Sequence, residues 1–415
     1  MSVYYLSRKG SDCADGLSPD TAWQTIACAN ARLQAGDTLL FRRGDTFYGR
    51  ILLPHGLSHE HPTVCASYGE GEKPVISQYK RALSRWERSE EHVWRLALSD
   101  PSCIEGNTDQ MDVNAGFLKI DGVLYGHKCF SIDQMAAQWD FYNDDTNLYV
   151  FCEENPAHAA REILIACNIG CLPFRNHIRI DGLHFRGSSG HGISGVGHDA
   201  VITNCEFHEL GGSQLAGFPV PNTRYGNGVE CWSDSADILV ESCCFSDIYD
   251  VAVTMQGNNV RQGWRNIVFR RCVMWNNQQS FEIWSDGELP DTGFIDCVFE
   301  DNLCLDAGFC WSYAFRPDRD NAAHLLMYNL KCPLCGVTVR NNVFSNARSA
   351  PIYKHGGASQ IPADYMLENN LFLISPGQDP VFRGSFPDEG CEALLERLHR
   401  LNRLAETHRF MIPQK

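Results

Sequence analysis

Six short stretches decide the fold: ITNCEF (202–207), VESCCF (240–245), FRRCVM (269–274), FIDCVF (294–299), VRNNVF (339–344) and LENNLF (367–372). Each begins on an apolar residue, reaches a Cys or Asn, and closes two residues later on a large apolar side chain. IRIDGLHF (178–185) fits the same frame with Leu183 at the Cys/Asn position. The closing residues, from Phe185 to Phe372, lie 22, 38, 29, 25, 45 and 28 positions apart. A rung of roughly 22–28 residues recurs, and the two long intervals carry insertions.

Each rung holds more than one strand. After each closing residue comes a polar turn and then GVECW (228–232), VAVTM (251–255), SFEIW (280–284) or APIYK (350–354). Strands of four to six residues punctuated by Gly, Asn, Asp and Ser, with almost no helical period, argue against an α/β sheet. An all-β coil of short parallel strands fits, each rung burying its inward side chains against its neighbours. Equivalent residues then stack one strand spacing apart, about 4.8 Å. Cys205, Cys243, Cys272 and Cys297 are expected to form one inward ladder, continued by Asn342 and Asn370. Phe185, Phe207, Phe245, Met274, Phe299, Phe344 and Phe372 are expected to form a second stack.

Composition narrows the rest. The chain has 415 residues, 44% hydrophobic and 21% charged, with a net charge of −16. That balance excludes disorder and disfavours nucleic acid and anionic membranes. No apolar run approaches the ~20 residues of a membrane span, and the start MSVYYLSRKGSD carries no apolar signal region. A cytoplasmic location is therefore expected. Nineteen cysteines then read as reduced, buried thiols rather than a disulfide framework.

The chain resembles the pectate-lyase-like, right-handed parallel β-helix superfamily of carbohydrate-active enzymes. The stretch YYLSRKGSDCADGLSPDTAWQTIACANARLQAGDTLLFRRGDTFYG is similar to the helix-capped first turns of such proteins, and IRIDGLHFRG and the NNVF and NNLF rungs to later ones. Within the superfamily the chain looks closer to β-helical glycoside hydrolases, of the α-L-fucosidase and xylanase type, than to pectate lyases. The resemblance implies a right-handed parallel β-helix (solenoid) with an inserted β-rich segment and helical caps. Hydrolases, lyases, epimerases and binding proteins share this fold, so activity has to be argued from the site.

Four parts are expected. Residues 1–77 form an N-terminal cap and the first turns, with a short amphipathic helix over about 20–33 presenting Trp23, Ile26, Ala27 and Leu33. Residues 78–165, rich in Trp and Tyr, break the repeat as a β-rich insertion. Residues 166–385 form the main coil. Residues 386–415 form a cap in which Leu394, Leu395, Leu398, Leu401 and Leu404 line one helix face; a homodimer through this helix is the alternative.

The candidate site follows from alternation. If Val229, Cys231, Val251, Val253, Phe281 and Ile283 point inward, then Glu230, Trp232, Asp250, Thr254, Glu282 and Trp284 share an exposed patch. Glu230 and Glu282 are two rungs apart, about 9.6 Å at the backbone. Paired carboxylates suit glycoside hydrolysis, one as acid and one as base or nucleophile; backbone spacing leaves the stereochemistry open, with inversion favoured. Glu230, Asp250 and Glu282 are thus the catalytic candidates, with Asp247 in reserve. Trp232 and Trp284 can stack on sugar faces. Gln256, Trp311, Tyr353, Lys354 and His355 complete the substrate-binding candidates, with Arg316 and His324. These last two are carried over from the resemblance of WSYAFRPDRDNAAH to related β-helix proteins. The insertions at 211–227 and about 311–335 would wall the patch.

The expected function is hydrolysis of a glycosidic bond in an oligosaccharide, with an exo-acting pocket. Two alternatives remain. A polysaccharide lyase would use Lys354 or Tyr353 as base with Arg316 on a uronate. However, no Asp cluster matches a pectate-lyase calcium site, and a charge of −16 repels polyuronates. The other alternative is a non-catalytic carbohydrate-binding β-helix. No cofactor and no metal are expected: Cys332 and Cys335 form a lone CxxC, where a structural zinc needs four ligands.

Overall fold

The computed structural model describes residues 1–106, 114–144, 146–167, 170–215, 217, 223–257, 263–286, 291–316, 319–356, 362, 364–374, 382–384, 396, 400 and 402–406. Three long parallel sheets run the length of the coil. Sheet I has ten strands, from Val3–Leu6 to Tyr365–Glu368. Sheet II has ten, from Thr46–Tyr48 to Arg403–Glu406. Sheet III has eight, from Gly170–Pro173 to Phe382–Gly384. From Gly170 to Ile374 the chain visits sheets III, I and II in turn, so sequence neighbours lie in different sheets and strand neighbours come from successive rungs. The result is a right-handed parallel β-helix, as expected, with the handedness that parallel crossovers adopt.

Inward columns of apolar residues make the core. In sheet I, Ile180, Ile202, Val240, Phe269, Phe299, Val339 and Leu367 stack in register, and all are buried. In sheet II the rings of Phe185 and Phe207 stack at 5.2 Å, Phe207 and Phe245 at 4.8 Å, and Phe344 and Phe372 at 5.0 Å.

The turn between sheets I and II is set by one left-handed residue per rung. Gly182, Asn204, Ser242, Arg271, Asp301, Asn341 and Asn369 all have φ between 52° and 68°, a conformation that Gly and Asn reach most easily. The next residue points inward and forms the ladder. Its members are Leu183, Cys205, Cys243, Cys272, Asn302, Asn342, Asn370 and Asn402. The Cys243 thiol accepts from the Cys205 N–H at 3.4 Å. Asn302 Oδ1 accepts from Cys272 N at 2.9 Å, and Asn342 Oδ1 from Asn302 N at 2.9 Å. Asn370 and Asn402 continue the run at 3.0 Å each. Each amide also donates to a carbonyl of an earlier rung, such as Asn342 Nδ2 to Phe299 O at 3.0 Å.

Two expected members are displaced. Cys297 is in sheet I, paired with Val337, and Asn302 takes the ladder position. Phe299 pairs with Phe269 in sheet I, and Cys304 fills the second stack between Met274 and Phe344. A bulge near Phe294–Cys297, with Asp296 at φ 54°, reproduces the local conformation of the turn inside a strand. FIDCVF therefore mimics the repeat five residues too early.

The N-terminal helix is shorter than expected, Ile26–Arg32. Thr25 caps it by accepting from Cys28 N. It buries Ile26 and Ala29, with Leu33 just beyond, on the open end of the coil, while Ala27 is exposed. Trp23 precedes the helix and bridges to Leu6. The insertion forms two five-stranded, largely antiparallel sheets. It docks on the coil through Tyr79 and Phe117, which pack with Tyr249 and Trp311. Of the leucines expected in the C-terminal helix, Leu394, Leu395, Leu398 and Leu401 lie outside the described residues. Leu404 belongs to strand Arg403–Glu406, paired with Phe372. All 18 described cysteines are free thiols, 14 of them buried.

Candidate active site

Register places the acidic residues of sheet III. Strands Val229–Trp232, Val251–Gly257 and Gln279–Ser285 are adjacent. Glu230 pairs with Thr254, and Thr254 with Glu282. Val229, Cys231, Val253, Phe281 and Ile283 lie in the apolar interior, so these three face out. The column continues through Leu326 and Tyr353. Two residues along, Trp232, Gln256, Trp284, Tyr328 and His355 form a parallel column. The Trp232 and Trp284 rings meet edge to face at 6.1 Å, and Tyr328 stacks on His355 at 4.5 Å.

The patch is not exposed, as alternation alone suggests. Glu230 is only 5% and Glu282 7% accessible. Glu230 Oε2 accepts from Asn227 Nδ2 at 2.7 Å and Gln256 Nε2 at 3.0 Å. His191 Nδ1 is 3.2 Å from the same oxygen and 3.1 Å from Asn227 N. As one tautomer it donates to Glu230; as the other it accepts from Asn227. Thr254 Oγ1 lies 3.1 Å from Glu282 Oε2 and 3.3 Å from Gln256 Oε1. A continuous polar relay therefore links the two glutamates.

Burial pushes the Glu282 carboxyl up to about 8, and the charges of Asp250 and Glu230 push it the same way. The Thr254 hydrogen bond and Arg316 oppose this but do not win. Desolvation and like charge both disfavour the anion, so Glu282 holds its proton at neutral pH. Asp250, at the turn entering its strand, accepts from Arg316 Nη1 at 3.0 Å. Arg316 follows the helix Ser312–Phe315, is 5% accessible, and also donates to Tyr249 O at 3.1 Å. Arg224, from the hairpin Ser213–Gln214/Arg224–Tyr225, lies over the Tyr249 ring at 4.6 Å, and Arg316 lies over the same ring at 5.2 Å. Asp247 lies on the neighbouring sheet II, bonded by Asn276 Nδ2 at 2.6 Å.

Three expected binding residues are elsewhere. Trp311 is 8% accessible, stacks on Tyr125 at 5.2 Å and donates to Asp247 O; it fastens the insertion to the coil. His324 is on strand Ala323–Tyr328, fully buried between Ser280 Oγ at 3.0 Å and Ser345 O at 3.1 Å. Burial lowers it to about 4, so it is a neutral structural ring. Six residues of the expected loop 311–335, Ala323–Tyr328, are thus a sheet III strand. Lys354 is in the inward column beside Met327, 1% accessible, with Nζ on Gly356 O at 2.7 Å. It cannot act as a base on the outer face, because alternation turns it away from Tyr353 and His355. His191 and Asn227, absent from the sequence reading, stand beside Glu230. HGISG and RYGNG carry no spacing that marks them; only register reveals them. Cys332 and Cys335 belong to no cluster of three ligating side chains among the described residues.

Residues 169–372 match the family model for the right handed beta helix region. No curated protein sequence matches the chain. Among solved structures, the chain is similar to XylC in complex with xylose, at 10% identity and TM-score 0.55, over 97% of this chain and 82% of that one. It is also similar to a GH136 lacto-N-biosidase from Eubacterium ramulus, at 11% identity and TM-score 0.48, over 98% and 68%. A rhamnogalacturonan lyase aligns at 12% identity and TM-score 0.45, over 100% and 90%. At 10% identity the likeness to XylC concerns the fold alone. With its three parallel sheets, its turn ladder and the family-model match over residues 169–372, the chain has the right-handed parallel β-helix fold.

Proposed function

We propose that the protein is a carbohydrate-active enzyme, a glycoside hydrolase that cleaves a neutral oligosaccharide held along the outer face of sheet III. The observation that carries this reading is Glu282: a buried carboxyl raised to about 8 beside two further acids. A carboxylic acid still protonated at neutral pH is what a glycosidic oxygen needs as its leaving proton donor. Glu230, two rungs away and hydrogen-bonded by Asn227 and Gln256, is the base that activates water. A backbone separation of about 9.6 Å leaves room for sugar and water together, which favours inversion. Asp250 keeps Glu282 protonated and, with Arg316, sets the charge at the reacting centre. Trp232, Trp284, Tyr328 and His355 offer ring faces to successive sugars. The hairpin carrying Arg224 and the helix leading to Arg316 border one side and support an exo-acting pocket.

A glycan-library screen with product analysis tests this. Release of a saturated reducing sugar, lost in both Glu230→Gln and Glu282→Gln, is the expected result. A product with a new C=C ultraviolet chromophore would identify a lyase instead. Glycan binding without turnover would leave a carbohydrate-binding protein. Unchanged turnover in either variant would overturn the site.

A further inference from the structure

The outer face of sheet II carries a second cluster, away from the carboxylates of sheet III. His184 and Glu206 are cross-strand partners on adjacent rungs. Glu206 and His208 alternate onto the same face of strand Glu206–Leu210. The two imidazole rings are 4.6 Å apart. One ligand atom from each of the three side chains lies within 4.8 Å of the others. The Nε2 atoms of both histidines are buried and without a hydrogen-bond partner. Two buried polar nitrogens left without partners are costly to keep, and none of the described residues satisfies them.

We propose that His184, Glu206 and His208 bind a divalent transition metal of the zinc class. Two imidazoles and a carboxylate are a common three-ligand set for zinc. Lys73 holds Glu206 Oε1 at 2.8 Å, while Oε2 faces His184 Nδ1 at 3.7 Å. Lys73, Arg186 and Lys119 are the cations nearby; the first orients the carboxylate as outer-shell partners of metal ligands do. The half-buried thiol of Cys244 follows Glu206 on the next rung but lies outside the cluster of ligating atoms, so a fourth bond falls to water. Bonds of 2.0–2.1 Å in a tetrahedral site need ligand atoms about 3.3 Å apart, so side-chain rotation must draw the cluster in by about 1.5 Å at most. The metal would staple adjacent rungs of sheet II beneath Trp275, whose ring meets His208 at 5.7 Å.

Calorimetric titration of the chelator-stripped full chain with zinc tests the proposal. One zinc per chain is expected, with an affinity at least about tenfold weaker in the His184→Gln/His208→Gln double variant. His127→Ala, in the cluster His127, Cys129 and Asp140, is expected to leave that affinity unchanged. Absence of zinc binding, or equal binding by the double variant, would overturn the proposal. If the double variant does not fold, cobalt loading of the wild-type chain decides. A visible d–d band of a low-coordinate ion supports the site, and its absence overturns it. Neither readout depends on the sugar chemistry of sheet III.

Discussion

The turn ladder from Cys205 to Asn402 and the outward column from Glu230 to Glu282 are built by the same coil at the same repeat. Both stack polar side chains away from water. In the ladder, Asn302, Asn342, Asn370 and Asn402 hand hydrogen bonds from rung to rung. They are neutral, so stacking them brings no repulsion. In the column, carboxylates are buried close enough that the charges of Asp250 and Glu230 raise Glu282. The ladder is a satisfied network that specifies the fold. The column is an electrostatically costly one, and such cost is tolerated where chemistry needs it. The same geometry thus yields a staple or a cluster of buried acids, depending on what occupies the stack.

The largest expected effect is on the column. Glu282→Gln should lower kcat by about 10²–10⁴-fold in a reducing-sugar assay. Its stability should move the other way. The folded protein holds an extra proton on Glu282 between its ordinary value of 4.5 and about 8, so wild-type stability falls as pH rises through that window. The Gln variant should lack this loss in denaturant melts at pH 5 and 8. A variant that is both active and equally pH-sensitive would erase the contrast with the ladder.

Asn342→Ala tests the other side. It removes the acceptor of Asn302 N and Nδ2 and the donor to Phe299 O and Asn370 Oδ1. A loss of about 2–5 kcal/mol in urea unfolding is expected, with kcat of the folded fraction retained. Trp284→Ala should weaken oligosaccharide binding by about tenfold, read as KM with little change in kcat. The smallest effect is a pH shift. Asp250→Asn removes a charge that raises Glu282 and frees Arg316, which lowers it. The alkaline limb of activity should start near pH 8 in the wild type and move acidward, on the order of one unit, in the variant. A limb that stays in place would remove Glu282 from the role of acid.

Much of this architecture is written in short-range pattern. The rung, its ladder and the in–out alternation of GVECW and SFEIW follow from residue type and spacing, because the stacking of a coil repeats locally. What fails is frame. Asp296–Cys297 and Asp301–Asn302 both pair a left-handed residue with an inward one, and sequence cannot tell a strand bulge from a turn. The insertions hide the next rung in the same way: AHLLMY reads as loop, yet it is the strand that turns His324 into the core. Lys354 and Tyr353 differ by one position and so face opposite sides of the sheet. Contacts between distant rungs, such as His191 and Asn227 on Glu230, have no local signature at all. The burial that makes Glu282 an acid comes from segments far along the chain, which no window of sequence contains.

One consequence of the register remains. Because Thr254 sits between Glu230 and Glu282, the distance separating the two acids is counted in whole rungs. A coil of this kind is a ruler graduated in steps of about 4.8 Å. Substitution can move an acid to the adjacent rung or leave it two away, but nothing in between. Moving Glu282's carboxylate to position 254 would halve the separation in a single step. The backbone spacing of such acids is therefore a digital property of rung count, open to change by one exchange of residues and insensitive to gradual drift of the backbone.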